Sequence, residues 1–223
     1  MISPLLSNLY LNEVDKMLER AKEVTREGRG MKVEYARFAD DLVILVDGHS
    51  RQAWLRKAVE KRLRGELAKL QVEVNQEKSR RVDLQQGESF GFLGFEFRRI
   101  RSGRGRGMPL HTPRTKKRTA LLRKLKLIFR SSRSQPVKEL IEQINPILRG
   151  WVNYLAMGHS SRCFSYIRDW VEKKVRSHLA RSRQRQGLGW KRGSKDWLYG
   201  PLGLFPEYRV AYLPSSSAAA PTR

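Results

Sequence analysis

Only one cysteine, Cys163, stands in 223 residues. A single thiol excludes an internal disulfide and any zinc finger built from cysteine pairs. Histidine is nearly as scarce, and His49, His111, His159 and His178 lie too far apart to show ligand spacing. No apolar run approaches the ~20 residues of a membrane span. The opening Met1-Ile-Ser-Pro-Leu-Leu6 lacks the basic flank and long apolar core of a secretory signal. The expectation is a cytoplasmic protein with no membrane partner. Acid is short too: 22 Asp and Glu face 46 Lys and Arg, a formal charge of +24. Such a field favours a polyanion, and nucleic acid leads. A membrane surface is the rival, but the aromatics are spread along the chain and not gathered on one basic amphipathic helix. The length allows one large or two small domains with a real core.

The few acids include an adjacent pair in an apolar setting. In Met31-Lys-Val-Glu-Tyr-Ala-Arg-Phe38, apolar and polar residues alternate as on a half-buried strand. Leu42 to Val46 is an unbroken, β-branched-rich run that reads as a strand covered on both faces. Asp40 and Asp41 fall at the turn between the two. Carboxylates at such a turn form the rigid, oxygen-rich site that Mg²⁺ prefers when it also carries phosphates. Taken alone, the dipeptide also fits ordinary turn chemistry. The small Ala39 would let another backbone approach.

Around this pair the chain reads as α+β. Leu6, Leu9, Tyr10, Val14, Met17, Leu18 and Ala21 recur at helical spacing behind Ser3-Pro4, and Gly28-Arg-Gly30 closes the helix. A helix that begins almost at residue one, with no strand before it, suggests the later part of a larger fold. Ser50 can cap a second helix with Ala53, Trp54, Ala58, Leu63, Leu67 and Leu70 inward. Its basic side, Arg56, Lys57, Lys61, Arg62 and Arg64, reads as a solvated face. Val72 and Val74 resume strand periodicity, Asn75 to Ser79 reads as a turn, and Arg81 to Leu84 follows. Ser89 to Phe97 carries Phe90, Phe92, Phe95 and Phe97, with glycines that signal a bulge or a close approach. These rings suit base stacking or the packing of an edge strand.

No acidic residue lies between Glu96 and Glu139, while Lys and Arg are dense there. Arg101, Arg104 and Arg106, spaced by glycines, read as a flexible loop that grips phosphates. The domain boundary is placed at residue 108. Leu121, Leu122, Leu125, Ile128 and Phe129 then form one apolar stripe among Lys116, Lys117, Arg118, Arg123 and Lys124. Pro136 opens a second helix that Pro146 should kink or break. A third carries Phe164, Ile167, Trp170, Val171 and Leu179 and ends in a basic run from Arg176 to Arg185. Three amphipathic helices with basic outer faces suggest a small bundle lying along a duplex. Residues 187–201 read as aromatic loop, and 206–223 as a disordered tail. No internal repeat is visible.

The order of these blocks resembles the group II intron-encoded reverse transcriptase/maturases. Ile2-Ser-Pro-Leu-Leu6 with Asn8, Phe38-Ala-Asp-Asp41, Asn75-Gln-Glu-Lys-Ser79, Phe92-Leu-Gly-Phe95 and Asn145-Pro-Ile-Leu-Arg-Gly-Trp-Val-Asn-Tyr154 follow one another as the family's motifs do. The resemblance implies a partial palm over residues 1–108, with an antiparallel sheet and helices. An all-α thumb/maturase domain would follow over 109–205. It implies that Asp40 binds the catalytic Mg²⁺ directly, with Asp41 assisting or structural. Phe38 would face primer, template or nucleotide, Ala39 would lie near the primer end, Asn75 and Lys78 would help position template and nucleotide, and Phe92, Leu93, Gly94 and Phe95 would contact the primer strand. Intron RNA and the template–primer duplex would meet Arg101, Arg104, Arg106, Arg114, Lys116, Lys117, Arg118, Arg123, Lys124, Arg149, Trp151, Tyr154, Arg176 and Arg181.

The implied reaction is attack of a primer 3′-hydroxyl on the α-phosphate of a dNTP on an RNA template. The sequence also departs from the family. The fingers, the Pro-Gln-Gly segment and the earlier palm aspartate are not among these residues, and Phe38 stands where tyrosine is commoner. The cysteine- and histidine-containing endonuclease domain of many relatives is absent too. An RNA-directed DNA polymerase is therefore expected of the full-length parent. The alternatives are an RNA-binding splicing maturase module without polymerisation, or an inactive truncated remnant. The oligomeric state is not readable from the sequence.

Overall fold

The computed structural model describes residues 3–27, 32–49, 53–182 and 194–211. It is an α+β protein in two compact units, 1–92 and 93–223. The division drawn from composition at residue 108 falls inside a strand of the second unit.

In the first unit the opening helix is two helices, not one. α1 (Ser3–Tyr10) and α2 (Asn12–Glu27) are separated at Leu11. Val14, Leu18 and Ala21 of α2 are buried, whereas Leu5, Leu6, Leu9 and Tyr10 of α1 are exposed. The apolar period therefore marks a core face only from Val14 onward. β1 (Val33–Phe38) and β2 (Asp41–Val46) pair antiparallel, from Val33 opposite Val46 to Phe38 opposite Asp41. Leu42, Ile44 and Val46 pack inward with Val33 and Tyr35 against α2 and α3 (Ala53–Lys69). The other face is open, and Leu45 is 45% exposed. The expectation of a strand covered on both sides is thus corrected. Among the described residues this sheet has two strands, and only the period-2 inward set reaches the core.

α3 closes with Gln71 at φ +54° and Val72 N–H bonded to the Leu67 carbonyl at 2.9 Å, a Schellman-type ending. The chain then runs irregularly through 72–83 to a 3₁₀ turn at Leu84–Gln86. Strand periodicity at Val72 and Val74 is not realised, because among the described residues no neighbouring strand supplies a ladder there. Ser89 to Phe97 is likewise not one strand. It is β3 (Ser89–Phe92), a turn at Leu93 and Gly94 with φ of 47° and 86°, and the start of β4 (Phe95–Arg101). Both turn residues sit at positive φ, the signature of a tight hairpin turn.

The second unit sets the β4–β5 hairpin, with β5 at Gly107–Pro113, on a bundle of α4 (Thr115–Ser131), α5 (Val137–Tyr154) and α6 (Ser161–Ser182). Leu125, Leu140, Ile144, Leu148, Phe164, Ile167, Val171 and Val175 are fully buried at its centre. α5 runs unbroken through Pro146. Its inward residues Leu140, Ile141, Ile144, Leu148 and Val152 stay in one stripe across the proline, and packing outweighs the one lost backbone bond.

Residues 194–211, expected as loop and tail, are part of this core. From α7 (Lys195–Tyr199) onward the chain forms a strap in which Leu198, Leu202, Leu204 and Phe205 are buried. Asn145 holds the strap at two points, donating to the Gly203 carbonyl at 2.8 Å and accepting from Phe205 N–H at 3.0 Å. Tyr199 donates to the buried Glu172 at 2.6 Å. Burial pushes the Tyr199 phenol far up, and the Glu172 bond adds to it. Residues 206–211 are placed as well, with Ala211 N–H on the Ala156 carbonyl at 2.6 Å. The rest of the expected tail, 212–223, lies outside the described residues, as do Gly28 to Met31, Ser50, and the basic and aromatic run 183–193.

β5 is fastened to the α5–α6 loop through two histidines. His159 N–H donates to the His111 carbonyl at 2.9 Å, and the two rings meet edge-on at 5.2 Å. The His111 ring also stacks on Phe97 at 5.5 Å. Burial holds its imidazole below the usual value of 6.5, and His159 acts in the same direction. The folded chain then binds fewer protons here than the unfolded chain. This contribution is complete above the unfolded value and is lost as pH falls through and below it. Denaturant unfolding of the second unit should show stability declining from about pH 7 to about pH 5. His111→Phe should flatten that decline.

Candidate active site and nucleic-acid interface

The β1–β2 turn presents its carboxylates outward. Ala39 and Asp40 form a two-residue turn, Asp41 begins β2, and both aspartates are exposed. Phe38 is 63% exposed beside them. Ala39 sits at φ +54°, a conformation that costs a residue with a Cβ about 1–2 kcal/mol. Such strain needs support from outside the turn.

Arg37 supplies it, and sequence reading missed this residue. Its guanidinium makes a two-pronged contact with Asp15, one bond at 2.8 Å and the second shorter. The same group donates to Asn8 Oδ1 at 2.9 Å and to the Ala39 carbonyl at 2.8 Å. Asp15 pushes the guanidinium pKa further up. α1, α2 and the turn are thus tied by one side chain that is only 10% exposed. The available signal was a charged residue inside an otherwise apolar strand pattern, two residues before the aspartates. Arg37→Lys keeps the charge and loses the fork. It should destabilise the first unit by about 1–3 kcal/mol, read as a lower urea midpoint.

The donor set at the turn suits a hard cation in kind and falls short in number. Mg²⁺ takes one or two carboxylates together with waters and phosphates, and Asp40 and Asp41 can provide two. Among the described residues no three His, Cys, Asp or Glu side chains gather to hold a metal. Asn75 and Lys78 form a separate exposed turn, in which Asn75 Oδ1 accepts from the Glu77 and Lys78 N–H groups at 3.1 Å each.

In the second unit two expected blocks meet. Tyr154 donates to the Leu93 carbonyl at 3.1 Å, its ring edge lies against Gly94, and Lys117 Nζ sits 5.7 Å from the ring centroid. Leu93 and Tyr154 are exposed and Phe92 is half-buried. Phe95 is buried at 6% exposure within the bundle core. Its expected contact with a primer is therefore corrected to a packing role.

The basic residues divide by exposure. Arg101, Arg104, Arg106, Arg114, Lys116, Lys117, Arg123, Lys124, Arg149 and Arg181 are exposed. Arg118 is half-buried, its guanidinium 4.8 Å from the Tyr166 ring centroid. Arg176 is 3% exposed and lies 4.0 Å from Glu172. It is an interior charge and not a surface grip, because its place in the helix turns it inward with Val171 and Val175. Trp151 is half-buried against Phe164 at 5.9 Å, with its indole nitrogen inside the fold. It packs rather than presents a face. Arg101, Arg104 and Arg106 are not on a loose loop. Ser102 N–H bonds the Arg106 carbonyl and Gly105 N–H the Ser102 carbonyl, each at 2.8 Å, so the hairpin is closed.

No helix among the described residues is long and apolar enough to cross a membrane. A comparison with curated proteins finds no match. Residues 1–97 match the family described as reverse transcriptase (RNA-dependent DNA polymerase), and residues 118–197 match the group II intron, maturase-specific domain. The two matches fall in order along one chain, the first over the strained aspartate turn and the second over the helical bundle and the start of its strap, and the chain belongs to the group II intron reverse transcriptase/maturase family.

Proposed function

We propose that this chain is the palm-and-thumb portion of an RNA-directed DNA polymerase that also serves its intron RNA. The carrying observation is the Asp40–Asp41 turn. Its two carboxylates are exposed at the tip of a strained hairpin, and Arg37 holds the Ala39 carbonyl of that turn from behind. In this reading Asp40 and Asp41 hold Mg²⁺ beside the primer end, and a further carboxylate comes from outside these 223 residues. The bound ions would supply the Lewis acidity that activates a primer 3′-hydroxyl against the α-phosphate of a dNTP. Phe38 and Ala39 flank the nascent pair. Leu93 and Gly94, propped by Tyr154, touch the primer strand. The exposed cations of α4 and the β4–β5 hairpin take the phosphates of template–primer and intron RNA.

Primer extension on an RNA template, with and without a polypeptide carrying the missing palm aspartate, tests this. Extension is expected only in the mixture. Extension by the chain alone would show that the site is already complete, and none in either case favours the second reading. That reading, an RNA-binding maturase module, draws on one observation: no third carboxylate stands near the pair among the described residues. In both readings RNA affinity falls steeply with salt.

A further inference from the structure

α3 turns one large ring away from its core. The expectation of an inward Trp54 is corrected: Leu55 and Val59 take the buried positions, and Trp54 is 56% exposed. Leu63, Leu67 and Leu70 complete the inward stripe. At about 3.6 residues per turn, Trp54 stands on the side opposite that stripe, in line with Lys57, Lys61, Gly65 and Ala68. All four are exposed. Lys57 and Lys61 make no ion pair among the described residues, whereas Arg64 and Lys69 are paired with Glu60 and Glu66. Residues 1–92 carry 17 Lys and Arg against 15 Asp and Glu, and α3 alone carries six against two. The positive excess of the first unit therefore sits on this helix. Gly65 is its odd member. A glycine inside a helix is less stable than an alanine, and a methyl group here would meet nothing within 4 Å. No packing among the described residues requires it.

We infer that the outer face of α3 seats an unpaired nucleic-acid strand, with one base stacked on Trp54 and phosphates on Lys57 and Lys61 as the strand runs toward Gly65. The inference rests on the RNA-binding reading above and adds to it a surface in the first unit. A base offers its face to a side chain only where it is unpaired and splayed out, and an exposed indole accepts any of the four. Cations in line with the ring hold the backbone that carries the base. Trp54 and Gly65 are eleven residues apart, about 16 Å of helix, which leaves room for a few nucleotides. The missing side chain at Gly65 lets the strand come close to the helix, and this gives that glycine a reason. A membrane surface suits a helix with several exposed apolar side chains, and Trp54 is the single large one on α3.

The test is binding of the full chain to short labelled single strands of RNA and of DNA, to an RNA duplex, and to anionic lipid vesicles. Trp54→Ala should weaken single-strand binding about tenfold, the scale of one base–aromatic stack, and leave duplex binding unchanged. Trp54→Phe should keep most of the affinity, because the smaller ring still stacks. Lys57→Gln with Lys61→Gln should lower the single-strand salt slope by about 1.4, two phosphates at about 0.7 each. Gly65→Ala should raise the urea midpoint and yet weaken single-strand binding, an opposition that a merely structural glycine would not show. The tighter of the two single strands tells whether the helix serves RNA or DNA. Circular dichroism would confirm that each variant folds. If single strands bind but Trp54→Ala matches the wild type, or weakens the duplex as much, the α3 proposal fails and the RNA reading stands. If the wild type binds neither strand nor duplex, both fail, and vesicle binding that needs Trp54 would then assign the face to a membrane.

Discussion

Replacing Asp40 with alanine is expected to lower RNA-templated extension by a complete polymerase containing this chain by on the order of 10³-fold, the scale for removing a group that stabilises charge at reacting atoms. The fold should survive. Asp40 is exposed, lies in a turn, and its carboxylate accepts no hydrogen bond among the described residues. RNA affinity should stay within about twofold, because the change touches none of the cations that set it. Asp40→Asn keeps the shape and removes the charge, so it should lose as much as alanine does. Single-turnover extension across a Mg²⁺ titration separates weaker metal binding from slower chemistry. An Asp40→Ala enzyme that retains a tenth of its rate at saturating Mg²⁺ would remove this residue from the metal site.

The largest effect on stability is expected at Asn145. Asn145→Ala removes a donor to Gly203 and an acceptor for Phe205 N–H. It strands those backbone groups beside the buried Leu204 and Phe205. Two net hydrogen bonds and one unsatisfied buried donor amount to about 2–4 kcal/mol. Asn145→Asp keeps only the acceptor and should fall between wild type and alanine. Denaturant unfolding gives the total, and hydrogen exchange at the Phe205 amide gives the local share. An Asn145→Ala protein within about 0.5 kcal/mol of wild type would mean that the strap is held by its apolar residues alone.

Asn145 also shows how far the sequence could be read. It opens a recognisable signature, yet its partners lie about sixty residues downstream, and no local pattern announces such a pairing. Arg37 is the same case, since it ties three elements through Asp15, Asn8 and Ala39. What was legible is local: the stripes of α4, α5 and α6, the alternation of β1, and two aspartates between two strands. Where periodicity misled, a tertiary partner decided. Val72 and Val74 have the alternation of a strand and, among the described residues, no strand to pair with. Leu5, Leu6 and Leu9 have the period of a core helix and stay exposed. Residues 194–211 look like loop because their buried positions, Leu198, Leu202, Leu204 and Phe205, follow no single period. Arg176 sits in a basic run that composition assigns to the surface, while its helical phase turns it inside.

Among the described residues the hydrophobic cluster of the first unit holds five buried side chains and that of the second eighteen. Their sizes are so unequal that heating should not take the molecule apart in one event. In a calorimeter the smaller core would give way early, as a shoulder of low enthalpy ahead of the main peak. A single melting temperature would then belong to the bundle alone. The aspartate turn would be lost together with the helical signal of α1, α2 and α3, while that of α4, α5 and α6 remained.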